Sequence, residues 1–469
     1  MKADFERVLF YFKTLTTIPR GSKNRQGIRE YLCAFAAEKG LAYRADSADN
    51  VVIFKPPARA YEHAPAVMLQ GHSDMVCALA DGYEIDFLHE PLRLREEGDF
   101  LFAEGTSLGA DDGIAVAMML ALLESDLPLP ALECIFTADE EIGMIGANAL
   151  DMSELTGKYL LNIDSEQEGV ITVSCAGGST AVVSLPFTCE QIHAHVYDID
   201  ISGLQGGHSG MEIIKGGLNA NKLAGEILQR LQPVRLVNIG GGEKENAIAR
   251  RAHMRVASAQ KIAVDALLKD VEQACKNTEP HLQMTGDYKG LQAVQAMDAS
   301  SSARICAALA AMPQGIIKMS AVDPAAVQTS LNLGVMEQKA PAVEFTFCVR
   351  SAVSAERKAL EKRLKEIAAN AGGSVALSGI YPAWEYQKQS VLRDKAVAVF
   401  QKMYGYAPKQ ESTHAGLECG LLAAKKKGLE CISFGPQMYD VHTAKEKLSI
   451  SSSKRTFEYL TALLEALNK

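Results

Sequence analysis

Residues 69–76 read LQGHSDMV: an apolar run gives way, just past Gly71, to a histidine and an aspartate two positions apart. Side chains of an extended chain alternate with period two, so His72 and Asp74 project from one face and can act on one point in space. Alone, the pair reads more simply as a strand-end histidine with a carboxylate neighbour. The format, however, recurs. SLGADDG places Asp111 and Asp112 just before a helical pattern, LECIFTA leads into Asp139, Glu140 and Glu141, and KYLLNI ends at Asp164.

The segments around these ends alternate strand-like and helical runs: VVIF, AVMLQGH, DGIAVAMMLALLES, LECIFTADEE and KYLLNID. Such alternation predicts an α/β layer domain with a largely parallel sheet. In such a sheet the functional crevice lies beyond the carboxyl ends of the strands, where these acids converge. Acids crowded together raise one another's pKa or cost stability unless a cation neutralises them. Their number suggests two cations sharing one carboxylate, at a spacing of ~3.5–4 Å. A second histidine should complete the donors. His442 in MYDVHTAKEKLSI is the first candidate and His414 in ESTHAGLECG its competitor. His63, His89, His193, His195, His253 and His281 lie in polar or irregular contexts and read as surface or structural. Adjacent side chains diverge along a strand, so Glu140 and Glu141 reach one site only where the backbone turns. One can then ligate while the other faces a water whose pKa the cation lowers to around 7, a division of labour suited to hydrolysis. In isolation the same acids read as a solvated turn.

The chain of 469 residues is long enough for two domains. A net charge of −9 and the lack of a long Lys/Arg run give no reason to expect nucleic acid or an anionic membrane as partner. The start, MKADFERVLFYFKTL, lacks the apolar core and cleavage site of a signal peptide, and no apolar run reaches spanning length. A cytoplasmic location is expected. The ten cysteines are scattered singly, with no C-x-x-C pair, as in a reducing compartment. Near residue 190 the texture changes: YDIDISGL alternates strictly, KGGLNANKLAGEILQRL reads as a helix, and VQTSLNLGVM and VEFTFCVRS precede a helix from Ser354 to Ala371. This pattern predicts an α+β domain with an antiparallel sheet. After Leu377, SGIYPAWEY reads as a loop. The domains are therefore placed at 1–186 and 381–469 for the α/β part and 187–380 for an insertion.

Taken in order, GHSDMV, SLGADDG, TADEEIG, LLNIDSE, GLQGGHSG, ENAIAR, VRS, THAGLECG and VHTAKEKLSI resemble the di-zinc exopeptidase family, and within it the aminoacyl-histidine dipeptidase branch. The similarity runs over essentially the whole chain, and HAGLECG is its most telling part, because related peptidases and deacylases differ there. The resemblance implies a zinc-exopeptidase-type catalytic domain with a mixed, mostly parallel sheet and an inserted lid that also forms a homodimer contact. It implies two Zn²⁺ per chain, with Co²⁺ or Mn²⁺ as alternatives. His72 and Asp164 would hold one, Glu141 and His442 the other, and Asp111 would bridge. Asp74 would orient His72, Glu140 would serve as general base and acid toward a metal-bridging hydroxide, and His208 would steady the oxyanion. Asn246, Arg350 and the main chain at Gly416 would bind the C-terminal carboxylate of a small dipeptide, Xaa-His among them. The peptide bond from Asp111 to Asp112 would be cis, and Asp112 stands where close relatives often have Asn, adding charge near the metals. The alternatives are an N-acyl amino acid deacylase or tripeptide aminopeptidase of the same superfamily, or a silent binding protein. All five ligands and Glu140 are present, which argues against silence.

Overall fold

A computed structural model describes residues 4–320 and 323–467. It divides into two units. The first comprises Met1–Cys175, Tyr386–Ser412 and Leu417–Lys469; the second comprises Ala176–Glu385 and Thr413–Gly416.

The first unit is built on an eight-stranded sheet in the order Ala42–Ala45, Val51–Lys55, Leu132–Thr137, Val67–His72, Tyr159–Asn162, Glu430–Ser433, Val170–Cys175 and Lys409–Thr413. The four strands from Leu132–Thr137 to Glu430–Ser433 run parallel, and antiparallel pairs flank them. Val67–His72 and Leu132–Thr137 are buried along their whole length, which is why they read as continuous apolar runs rather than alternating ones. The Ala110–Glu124 helix is apolar all round and fourteen of its fifteen residues are buried, so it lies inside the core rather than on it. Gly71 permits its close approach: a Cβ there would press on Asp112 and come within 2.7 Å of the Ala115 methyl. At the helix's far end Lys55 donates to the carbonyls of Leu122 and Leu123, both at 2.9 Å, and of Ser125, so that one ammonium satisfies the orphaned C-terminus.

The second unit carries a nine-stranded sheet with antiparallel pairing throughout: Gln283–Met297, Cys189–Ser202, Ala252–Ser258, Arg235–Gly241, Val327–Lys339, Ala342–Ser351, Gly177–Pro186 and Ser374–Tyr381, with Gly315–Met319 added beside Val327–Lys339. Helices Ala220–Leu231, Ala299–Ala311 and Ser354–Asn370 contribute Leu223, Ile227, Ile305, Leu309, Leu360 and Leu364 to a core that is separate from that of the first unit.

Three sequence expectations are corrected. Gly177–Pro186 pairs with Ala342–Ser351 along its entire length, so the first crossing lies after Cys175 and not after residue 186, and the second lies at Glu385 and not at 380. Ser378–Tyr381 is not loop but the end of a strand, because pairing with Gly177–Pro186 overrides the Gly and Pro nearby. The helix expected from Lys215 starts at Ala220, where Asn219 caps it by accepting from the N–H groups of Asn221 and Lys222.

Candidate active site

The carboxyl ends of the parallel strands deliver the donors of the first unit. His72 is the last residue of its strand, and Asp164 follows the Tyr159–Asn162 strand by two residues. Leu132–Thr137 ends in a turn in which Asp139 takes a left-handed φ of 53°, and this turn lets the neighbours Glu140 and Glu141 serve the same site. Asp139 itself is used for structure: its carboxylate accepts from the Lys23 N–H at 2.6 Å and faces Arg25 at 3.5 Å. Asp111 opens the buried helix, and the Asp111–Asp112 peptide is cis. His442 sits in a loop at φ 63°.

These side chains form two sets that share one carboxylate. His72 Nε2 lies 3.0 Å from Asp111 Oδ1 and 3.6 Å from Asp164 Oδ1. His442 Nε2 lies 3.1 Å from Asp111 Oδ2 and 3.0 Å from Glu141 Oε1. His72/Asp111/Asp164 and Asp111/Glu141/His442 each bring their ligand atoms within 4.8 Å of one another, as do His72, Glu140 and Glu141. A tetrahedron of zinc bonds to N and O has edges of roughly 3.3 Å, so the spacings and the mixed donor types fit a divalent cation in each set, with a fourth position open.

The electrostatics fit the same cations. Burial opposes charge on His72, but Asp111 and Asp164 raise it well above an ordinary imidazole. The bonds to Asp111 and Glu141 push His442 up to about 11. Burial and the neighbouring acids push Asp164 up to about 6, and burial followed by Asp164, Glu418 and Glu141 holds Glu140 well above the carboxylate range, although His72 opposes. Asp111 goes down: burial works against its charge, and the two histidines outweigh it. Positive charge between these groups would relieve the crowding that lifts the acids.

Asp74 faces His72 and a second partner as well. His72 Nδ1 lies 3.1 Å from the Asp74 carbonyl and 3.6 Å from its carboxylate, so the ring is oriented chiefly by main chain. The carboxylate accepts from Ser22 at 2.8 Å and from the N–H groups of Glu140 at 3.0 Å and Glu141 at 3.4 Å, and so fixes the turn that presents both glutamates. Asp112 is wholly buried, and burial with Asp164 and Asp111 nearby lifts it well above the carboxylate range.

In the second unit the GGHSG loop pairs with the segment around Asn246. Ser209 N–H donates to the Asn246 carbonyl and Ile248 N–H to that of Gly207, both at 2.8 Å. His208 Nδ1 accepts from the N–H groups of Gly210 at 3.3 Å and Met211 at 3.2 Å, which assigns the ring proton to Nε2. Burial and Arg350 lower its pKa, so the ring is a neutral donor. Arg350 is buried, donates to the Tyr381 hydroxyl at 3.1 Å, and leaves Nε unpartnered; among the described residues no carboxylate lies within ion-pair distance. His414, the competing ligand, is instead part of this unit: its Nε2 lies 2.7 Å from the hydroxyl of Ser330, which stands opposite Arg350 in the sheet. Gly416 follows two residues later in the same short segment. The other six histidines stay out of both sets; His195 bonds Tyr288 and His253 bonds Asn238.

Several groups around the donors have no strand-end signature. Glu418 is fully buried beside Gln70 and Thr137, and burial pushes it up to about 8. Glu166 is pushed up to about 7 by burial and by Asp111. Arg20 and Glu446 bond only to backbone.

The family model described as "Peptidase family M20/M25/M40" matches residues 68–466, a span that contains every donor and every residue of the second unit discussed above. The chain belongs to the M20/M25/M40 peptidase family. It is 32% identical to the cytosol non-specific dipeptidase of Escherichia coli (strain K12), an alignment covering 97% of this chain and 96% of that one. The aminoacylhistidine dipeptidase of Vibrio alginolyticus is similar in structure, with a TM-score of 0.91 and 33% identity over 98% of this chain and 96% of that one. The aminopeptidase PepT of Bacillus cereus shares the fold, with a TM-score of 0.63 and 18% identity over 99% of each chain. The M20 fold expected from the sequence, a mixed α/β catalytic part with a second, lid-type part, is thus shown, and the relatives named as dipeptidases are hydrolases of peptide bonds.

Proposed function

We propose that this M20 peptidase is a metal-dependent dipeptidase that hydrolyses small dipeptides, Xaa-His among them. The observation that carries the reading is the pair of three-donor sets sharing Asp111, with Glu140 beside them. His72 and Asp164 would hold one divalent cation, Glu141 and His442 the other, and Asp111 both; zinc suits the donor set, with cobalt or manganese as alternatives. Bound there, the cations would supply Lewis acidity for the scissile carbonyl and acidify water.

The remaining steps belong to the chain's own residues. Glu140 takes a proton from the attacking water at its carboxylate and returns it to the leaving amine. Asp74 holds the Glu140 N–H and so aims that carboxylate. His208 donates from Nε2 to the developing oxyanion. Arg350, a buried guanidinium without a carboxylate partner, pairs with the substrate's C-terminal carboxylate, assisted by Asn246 and the main chain at Gly416. A longer peptide places an amide where that carboxylate must sit, which restricts the enzyme to short substrates.

One relative is a non-specific dipeptidase and another an aminoacylhistidine dipeptidase, which supports small dipeptides, Xaa-His among them, as substrates. A homodimer through the second unit and a cytoplasmic location complete the proposal. The location is supported by the cytosolic relative.

The test is hydrolysis of Ala-His, Gly-His, β-Ala-His, Ala-Ala, a tripeptide and N-acetyl-histidine by zinc-loaded protein, with sedimentation to count subunits. Cleavage of the dipeptides that is lost in Glu140→Gln supports the proposal. Activity confined to the tripeptide or the acyl compound moves the chain to a sister activity, and no turnover by metal-loaded protein makes it a binding protein.

A further inference from the structure

Two buried charged side chains, far apart in sequence, grip the Gly109 peptide from its two sides. Glu446, 2% exposed, accepts four successive backbone N–H groups: Leu108 and Gly109 on Oε2 at 2.7 and 2.9 Å, and Ala110 and Asp111 on Oε1 at 2.8 and 3.3 Å. Arg20, equally buried, donates through Nη2 to the Gly109 carbonyl and through Nη1 to the carbonyls of Ser73 and Asp74, both at 3.2 Å. Among the described residues no carboxylate lies within ion-pair distance of this guanidinium, although Glu446, Asp74, Asp112 and Asp111 all act on it electrostatically. Gly109 has a left-handed φ of 65°, and a Cβ there would come within 2.6 Å of Met75 Sδ and 2.7 Å of Arg20 Nη2. A side chain at position 109 would therefore displace the Arg20 guanidinium.

We propose that Arg20 and Glu446 are positioning residues that hold the Asp111 carboxylate where it can serve both cation sites, and that they preform those sites before any cation binds. The inference rests on the reading of Asp111 as the shared ligand. A shared carboxylate has to keep Oδ1 toward His72 and Oδ2 toward His442 at once, and small displacement of its backbone breaks one or the other. The Asp111 N–H is itself one of the four that Glu446 holds. Glu446 follows His442 by four residues, so the same carboxylate ties the His442 loop to the Asp111 loop. Arg20 ties the Asp111 loop to the backbone just after His72. Three donor loops are thereby referenced to one peptide unit. The planar fork is essential to this role: it spans three carbonyls while keeping a permanent positive charge among four acids and away from the donor atoms themselves.

The experiment measures zinc affinity by chelator competition on metal-free protein, together with urea denaturation, for the wild type, Arg20→Lys, Glu446→Gln, Asp111→Ala and Lys55→Met. Lys55→Met removes three carbonyl bonds at the opposite end of the Asp111 helix and reports on helix stability alone. Zinc affinity reduced tenfold or more in Arg20→Lys and Glu446→Gln, with Lys55→Met within twofold of wild type, is the expected result. Affinity within twofold of wild type in both variants, or an equal loss in Lys55→Met, overturns the inference. If Arg20→Lys does not fold, Glu446→Gln decides by the same criterion. Undiminished binding by Asp111→Ala would instead overturn the reading of the site on which the inference rests.

Discussion

Glu140 and Arg350 separate two tasks that a kinetic experiment can tell apart. Glu140 is placed beside the donors by the Asp139 turn, and its amide analogue keeps shape while losing the ability to carry a proton. Glu140→Gln is therefore expected to lower kcat by about 10²–10⁴ while zinc content, measured by atomic absorption, stays at the wild-type level. Arg350 belongs to none of the candidate ligand sets. Arg350→Ala is expected to lower kcat/KM for dipeptides by about 100-fold, again with unchanged zinc, and to abolish discrimination against dipeptide amides, which lack the carboxylate. Unchanged kcat/KM would remove Arg350 from the substrate site. At this scale the sequence was informative wherever a side chain acts at a strand end. The apolar run, the acid and the turn are local, so His72, Asp111, Glu140, Glu141 and Asp164 can be picked out without a structure. Arg20 and Glu446 could not be. Each works on backbone groups far away in sequence, and only tertiary packing reveals the bond. Alternation along an extended chain puts Asp74 on the face of His72, and its carboxylate does lie 3.6 Å from that ring, but its bond to the Glu140 turn spans 66 positions of sequence and only tertiary packing reveals it.

Among the elements, the Ala110–Glu124 helix joins chemistry to core. Its first turn carries Asp111, and its last residue, Glu124, binds the Phe5–Leu15 helix through Arg7 Nε at 2.6 Å and the Tyr11 hydroxyl at 2.7 Å, and the C-cap of the Gln26–Glu38 helix through Lys39 Nζ at 3.0 Å. Burial raises the Glu124 pKa, but the bonds to Arg7, Tyr11 and Lys39 outweigh it and bring the group from 4.5 to about 2. A carboxylate depressed in the folded state stabilises above its unfolded pKa, and that contribution is lost as pH falls from about 4.5 toward about 2. Because Arg7 is 40% exposed, solvent screening reduces the effect well below the full value of the shift. Glu124→Gln is expected to destabilise by about 1–2 kcal/mol at pH 7 in urea denaturation, with the gap to wild type narrowing progressively below pH 4.5. A gap that stays constant down to pH 3 would show that the network contributes through shape alone. The Ala, Met and Leu richness of DGIAVAMMLALLES identified this helix, whereas Ser378–Tyr381 was missed because strand pairing, a non-local effect, decided against its local turn residues.

On the scale of the whole molecule, the alternation of strands and helices followed by strict two-residue alternation announced two units, and their exact limits depended on pairing partners that composition does not encode. The division has a thermodynamic consequence. The two cores share no residues, and all five proposed ligands, His72, Asp111, Glu141, Asp164 and His442, belong to the first unit. A cation that binds the folded first unit stabilises it by RT ln(1 + [L]/Kd), about 2.7 kcal/mol at a hundredfold excess over Kd, and exerts no such direct effect on the second. Removing zinc with a chelator should accordingly raise hydrogen exchange in the buried strands Val67–His72, Leu132–Thr137 and Tyr159–Asn162 and in the Ala110–Glu124 helix. Exchange in Ala342–Ser351 and Gly177–Pro186 should stay at its starting level. Protection lost equally in both sets would mean that the units open together as one cooperative body, and the cations would then stabilise the second unit through the first. Loss confined to the donor-bearing strands would show that cation binding is linked to the stability of the first unit alone.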